Sequence, residues 1–325
     1  MKMRRQTGAA LILAMLTVTL VATLASAMLW QQWRRIEVET ALRYRAQAAW
    51  ILSGALDWAR LILREDGRNG GADHLSEPWA VPLREAKLAS FLAADASGAT
   101  AAGASGDADP TLEAFLAGQI IDAQGKLNFM NLAAEGTAAD AARASFARLF
   151  ALLGLPATEL ASIQAALAAA NTRASGAADG SVAPLLPRRF EDLAWIGASE
   201  LTLRTLAPHA TLLPVATPLN LNTASAVAIA AAVPGVDLAN AERMAEARLL
   251  KHFRSLADAA QAGGIDTTRL VDAQHGIASR FFEVWGSLRI DAHQVTEHSL
   301  VQRDGANVRT LWRERGVRPE AEAPR

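Results

Sequence analysis

The side chains able to do chemistry are few and scattered along the chain. Six histidines stand at positions 74, 209, 252, 275, 293 and 298. None falls in an H-E-x-x-H or other metal-binding spacing. Walker A, G-x-S-x-G and G-x-G-x-x-G signatures do not occur, so the sequence encodes neither a phosphate-cradling loop nor a nucleophile elbow. There is no cysteine, which excludes disulfides, thiolate metal sites and thiol nucleophiles. Close acids such as Asp107 and Asp109, or Glu191 and Asp192, are of the kind found in solvated loops and helix starts. The expectation from these residues is a protein that is not an enzyme.

Length and composition set outer limits. A chain of 325 residues with 51% hydrophobic content holds one large domain or two to three small ones with a sizeable core. Alanine supplies much of that count and fills little volume. A formal net charge of −1 gives no general attraction to nucleic acid.

The element that positions everything else is N-terminal. Lys2, Arg4 and Arg5 form a basic head, Gly8 ends it, and Ala9 to Leu29 carry no charge. As a helix at ~1.5 Å per residue this run is about 31 Å long, enough to cross the ~30 Å hydrocarbon layer of a bilayer. The basic head favours a cytoplasmic N-terminus, although Arg34 and Arg35 beyond the run oppose it. Trp30 and Trp33 then stand at the outer interface. A cleaved signal peptide has the same layout, and Ala25-Ser26-Ala27 has the form of its cleavage site. The length of the apolar run, and a helical pattern that continues beyond it, argue for a retained segment.

That pattern places Val38, Leu42, Ala46, Ala49, Leu52, Leu56, Ala59 and Leu63 on one stripe, with charges on the other faces. Asp66-Gly67 and Asn69-Gly70-Gly71 stop it. The reading is one helix of some fifty residues, half in lipid and half against a globular body. An anchor followed by a separate helix is the plainer alternative.

A basic head ending in Gly before an uncharged helix resembles the leader of type IV pilins and pseudopilins, whose peptidase cuts after a Gly. The resemblance implies cleavage between Gly8 and Ala9 and methylation of the Ala9 amine. In that family the fifth mature residue is nearly always Glu; here it is Leu13. A carboxylate there pairs with the amine of the preceding subunit, so an apolar residue suits a subunit that leads the assembly. Among pseudopilins this exception resembles the minor K family of type II secretion.

Further stretches carry the same resemblance. Asp73, Leu75, Glu77, Pro78, Trp79, Ala80 and Pro82 are similar to a segment of the K pseudopilins, and two prolines make it an extended loop or strand edge anchored by Trp79. The small-residue tract Ala93 to Ala108 reads as a mobile loop. Gly118 to Leu132 reads as a β-hairpin around Asp122-Ala123-Gln124-Gly125, with Gly supplying a positive φ. Asn128 and Asn131 follow, and their side chains suit capping and turn hydrogen bonds better than ligand binding.

From Leu132 to about Leu213 the chain reads as helical. A second helical unit opens at Pro218-Leu219-Asn220-Leu221-Asn222, with Thr223 expected to cap a helix over Ala224 to Val233. This string, with Pro234-Gly235 and the later Phe253-x-Ser255, is shared by SAM-like domains of the K pseudopilins and by helix-hairpin-helix DNA binders. The binders use G-x-G to approach a phosphate. Here Val236 and Asp237 follow Gly235, which leaves a membrane-anchored DNA-uptake protein as the second reading. Phe281 to Ile290 and His298 to Trp312 read as two or three antiparallel strands.

The expected fold is α+β: a type IV pilin-like fold, in which a long N-terminal transmembrane helix packs on a small antiparallel sheet, with a large inserted all-α region of SAM-like units. The expected divisions are a leader over 1–8, the membrane helix over 9–29 and its continuation over 30–66. The first part of the body covers 67–131, helical domains cover 132–217 and 218–278, and the last strands cover 279–315 before a disordered tail over 316–325. The resemblance implies assembly with I- and J-type minor pseudopilins as a tip complex, through a helix face of Val38, Leu42, Ala49, Leu52 and Leu56. It also implies contact with prepilin peptidase and the inner membrane, with the outer-membrane secretin and secreted substrates as further contacts and no nucleic acid. No cofactor is required; calcium is the one ion the resemblance leaves open, with no ligands assigned.

Overall fold

The computed structural model describes residues 7–88, 114–134, 136–174, 184–290 and 293–316. The Ala93–Ala108 tract and the 317–325 part of the expected tail lie outside them, as does the basic head.

Helix α1 is continuous over Thr7–Asn69, 63 residues. Its apolar part tolerates hydroxyls because each bonds back to a carbonyl of the preceding turn: Thr17 Oγ1 donates to Ala14 O at 2.9 Å and Ser26 Oγ to Ala22 O at 2.8 Å. Farther along, ion pairs at helical spacing such as Arg43–Glu39 and Arg60–Asp57 lie on the solvated faces. The helix stops where Gly70 and Gly71 take φ of 62° and 122°, a region open to glycine.

After a 3₁₀ turn over Pro78–Ala80 that buries Trp79, strand β1 covers Leu83–Lys87 and β2 covers Ala114–Asp122. The late strands are β7 over Phe281–Ile290, β8 over His293–Asp304 and β9 over Asn307–Gly316. They form one sheet in the order β1-β2-β7-β8-β9, antiparallel throughout. The second half of α1 lies across one face. Leu56, Ala59 and Leu63 meet Trp79, Ile120, Phe282, Val284 and Val301, while Ala48 and Leu52 meet Leu116, Leu288 and Ile290. Gly286 permits this approach, since a Cβ there would stand 3.2 Å from Leu52 Cδ2.

Between β2 and β7 the chain builds a helical head. It contains the two-residue strands β3 (Leu127–Asn128), β4 (Ala210–Thr211), β5 (Leu219–Asn220) and β6 (His275–Gly276). Its helices are α2 (Thr137–Leu152), α3 (Ala157–Ala174), α4 (Glu200–Leu206), α5 (Ala226–Ala232), α6 (Leu238–Leu250) and α7 (Leu256–Gly263). One apolar core runs through it, from Phe129, Phe146 and Ile163 to Ile229, Met244 and Phe253. Packing is therefore continuous across residue 217, where two helical domains were expected to divide.

Three local expectations change. β2 pairs with β7 and β3 pairs in parallel with β4, so no hairpin forms around Asp122–Gly125. Those residues are instead the turn through which the chain leaves the sheet for the head, with Asp122 accepting from Gln124 N at 2.8 Å. Gly125 has no positive φ; it is small because Thr223 Oγ1 lies 2.9 Å from where its Cβ would be. Thr223 does not cap α5. Ser225 does, accepting from Ala228 N, and the Thr223 hydroxyl donates to Asp122.

Candidate assembly surface and the seam beneath the head

Gly8 and Ala9 lie in the opening turns of α1. Leu13 is exposed within the uncharged run, and α1 is the helix, among the described residues, long and apolar enough to cross a membrane. Past that run the guanidinium of Arg34 sits 5.0 Å over the Trp30 ring.

The structure divides the expected partner-packing stripe. Val38 and Leu42 are 59% and 60% exposed, whereas Leu52 and Leu56 are 1% and 7% exposed and belong to this chain's own core. Ala49 is half-buried at the boundary. The buried section has bulky apolar residues in adjacent pairs, Ile51 with Leu52 and Ile62 with Leu63, which 36–45 lacks. A wider stripe covers a sheet, and a narrow one suits a neighbouring helix. That density change was readable in the sequence. Trp50, at 80% exposure, was not anticipated and extends the uncovered apolar surface.

At its far end α1 reaches a buried polar seam that ties body to head. The wholly buried Asp122 carboxylate accepts from Asn220 Nδ2 at 2.8 Å, Thr223 Oγ1 at 2.6 Å and Ser279 Oγ at 2.6 Å. Burial pushes its pKa up, and these donors act against that rise. Asn220 Nδ2 also reaches Asp73 O at 3.1 Å, while Asn222 exchanges two hydrogen bonds with the Phe253 backbone. Asn128 accepts from Leu213 N and donates to Val215 O; Asn131 brackets the Thr217 backbone. All four asparagines thus act as turn and crossing pins. The ring of His74 stacks on His252 of the head at 3.8 Å.

Beside this seam Asp66, Asp73 and Glu77 bring carboxylate oxygens within 4.8 Å of one another. Arg303 of β8 enters the group, pairing with Asp66 and placing Nη2 at 2.6 and 2.7 Å from the two Asp73 oxygens. Burial raises the Glu77 pKa to about 7, helped by the Asp66 carboxylate and opposed by the donors His74 N and Trp79 Nε1. Asp73, Glu77 and Trp79 all belong to the motif carried by the sequence, whereas Arg303 has no sequence signal of its own.

The helix-hairpin-helix-like turn is filled by the protein itself. Gly235 has φ +76°, and the Arg269 guanidinium packs where its Cβ would be and donates to Pro234 O. Asp237 accepts from Asn240 N at 2.8 Å at the start of α6, the place where a DNA-binding hairpin receives a phosphate.

A membrane-length helix whose second half carries a small antiparallel sheet defines a pilin-like protein, here one with a helical head inserted between strands. Residues 219–278 match the family described as Type II secretion system (T2SS), protein K. Over 336 residues the chain is 28% identical to the Type II secretion system protein K of Pseudomonas aeruginosa, covering 96% of this chain and 94% of that protein. Its fold aligns with a chain from the crystal structure of the GspK–GspI–GspJ complex of the enterotoxigenic Escherichia coli type 2 secretion system. The TM-score is 0.60 at 18% identity, over 86% of this chain and 99% of that one. In sequence and in fold the chain is thus similar to type II secretion system protein K.

Proposed function

We propose that this protein is the minor pseudopilin at the tip of the pseudopilus of a type II secretion system, where it initiates or caps assembly in support of protein export. The observation that carries this reading is the place of the head. It is inserted where α1 ends, joined there by Asp73, Asp122 and Ser279 to Asn220 and Thr223, and a bulky unit at that end leaves no room for a further subunit above. Leu13 supports it from the other end. A carboxylate at a helix centre in lipid costs roughly 2.5 kcal/mol or more, and a leading subunit has no preceding amine to offset it.

The solved relative is a complex of GspK with GspI and GspJ, and by analogy the partners here are I- and J-type minor pseudopilins, engaged through the exposed part of α1 around Val38 and Leu42. The chain enters the inner membrane with Lys2, Arg4 and Arg5 inside and its body in the periplasm, is cut by prepilin peptidase between Gly8 and Ala9, and is methylated on Ala9. Its role is mechanical and not catalytic. Mass spectrometry of the mature N-terminus should find methylated Ala9, and affinity capture of the full chain from membranes should bring both partner pseudopilins with it. A mature chain beginning near residue 28, or capture of duplex DNA with steep salt dependence in place of pilin-like partners, would sink the proposal.

A further inference from the structure

The acidic cluster beside the seam has the composition of a divalent-cation site, and calcium takes six to eight oxygen ligands. Four of its six carboxylate oxygens are already engaged. Asp73 Oδ2 accepts from Ser279 N at 2.6 Å as well as from Arg303, and Arg303 Nη2 also donates to Ser279 O at 2.9 Å. Arg303 Nη1 holds Asp66. Glu77 Oε2 accepts from His74 N and Trp79 Nε1, both at 2.8 Å. The guanidinium is itself nearly buried, with its carbon 4.8 Å over the Phe282 ring. The other cation at this cavity, Arg280, is engaged by Asp304 at 2.5 Å. A planar fork with fixed N–H directions matches two carboxylates and a carbonyl at once, which a spherical ion held by this few oxygens does not.

We infer that Arg303 is the built-in cation of this cluster, locking the end of α1 and the Asp73 loop to β8, so that the seam is held without a divalent ion and becomes a divalent-ion site only when Arg303 is removed. Charge balance gives the physical reason. With the guanidinium in place the cluster already holds a cation in contact with Asp66 and Asp73. Without it, the carboxylates of Asp66, Asp73 and Glu77 face one another across a cavity also lined by Gly67, Gly70 and Gly71, and their repulsion favours any hard cation that fits.

The test uses the full chain in nanodiscs. Thermal unfolding of the wild type should have the same midpoint in millimolar calcium and in excess EGTA. Arg303→Met should lower the midpoint in EGTA by roughly 5–15 °C, the scale of breaking a buried pair, and calcium should recover a large part of that loss. The recovery should vanish when Asp66→Asn and Glu77→Gln are added. Terbium provides a readout that does not depend on the stability of the variant, because Trp79 touches Glu77 and can sensitise its luminescence. The wild type should stay dark on addition of terbium, and Arg303→Met should become bright. A wild type whose midpoint rises in calcium, or whose Trp79-sensitised terbium signal is lost in Glu77→Gln, would overturn the inference. So would an Arg303→Met protein indifferent to calcium and dark with terbium.

Discussion

The division of the α1 stripe yields a paired prediction on Leu42 and Leu52, residues of one type on one helix. Leu42 is 60% exposed. Burying a leucine completely is worth ~1.5–3 kcal/mol, so covering its remaining surface with a partner helix contributes about 1–2 kcal/mol. Leu42→Asp removes that and forces a carboxylate into an apolar contact, adding on the order of 2 kcal/mol of desolvation. The total of about 3 kcal/mol corresponds to weakening of roughly 100-fold in binding the partner pseudopilins. Leu42 makes no core contact within its own chain, so the melting midpoint of the isolated protein should not move. Leu52 is 1% exposed and packed between Ala48, Leu116 and Leu288. Leu52→Ala should cost about 3–5 kcal/mol of stability and affect partner binding only through that loss. The assays are co-reconstitution of the full chain with its partners in nanodiscs, titrated for affinity, and thermal unfolding of the chain alone. Unchanged affinity for Leu42→Asp would refute assignment of the assembly face to the exposed section. A large stability loss for Leu42→Asp would refute the division of the stripe itself.

Two more predictions concern the seam. The folded-state pKa of Glu77 is raised from its ordinary 4.5 to about 7, so the stability contributed by its protonated form is complete below about pH 4.5 and is lost as pH rises through 7. His74, His209 and His275, lowered by burial, act oppositely below about pH 6.5, so the comparison with Glu77→Gln isolates the effect. That variant, a permanent mimic of the neutral acid, should gain stability over the wild type between pH 5 and 8, and a constant difference across that range would contradict the assignment. Asn220→Ala removes donors from the buried Asp122 carboxylate and from Asp73 O. It should cost about 2–4 kcal/mol and raise hydrogen exchange at the head–body crossing; a loss under about 0.5 kcal/mol would show that the seam is held elsewhere.

The long helix was legible because its signals are local. An uncharged run, a stripe at helical spacing and two glycines at its end act within a few residues of one another. The same holds for Trp79 as an anchor between prolines, for the helices of the head and for the late strands. What the sequence did not disclose is non-local. β2 found its partner in β7 and not in the segment after its own turn, because the apolar face of β2 is completed by Phe282, Val284 and Leu288. Thr223 has the residue type of a helix cap, but the neighbouring Asp122 claimed its hydroxyl.

By itself the sequence determined a membrane-length helix, an α+β body with an inserted helical region, and a resemblance to a family whose motifs it carries. The tertiary structure alone decided which half of the stripe remains exposed, how one core joins the two helical units, and that Arg303 stands among Asp66, Asp73 and Glu77. The physical reason is distance along the chain. Arg303 and Asp73 are 230 residues apart, and no periodicity or spacing rule reaches across a separation that only the closed sheet spans.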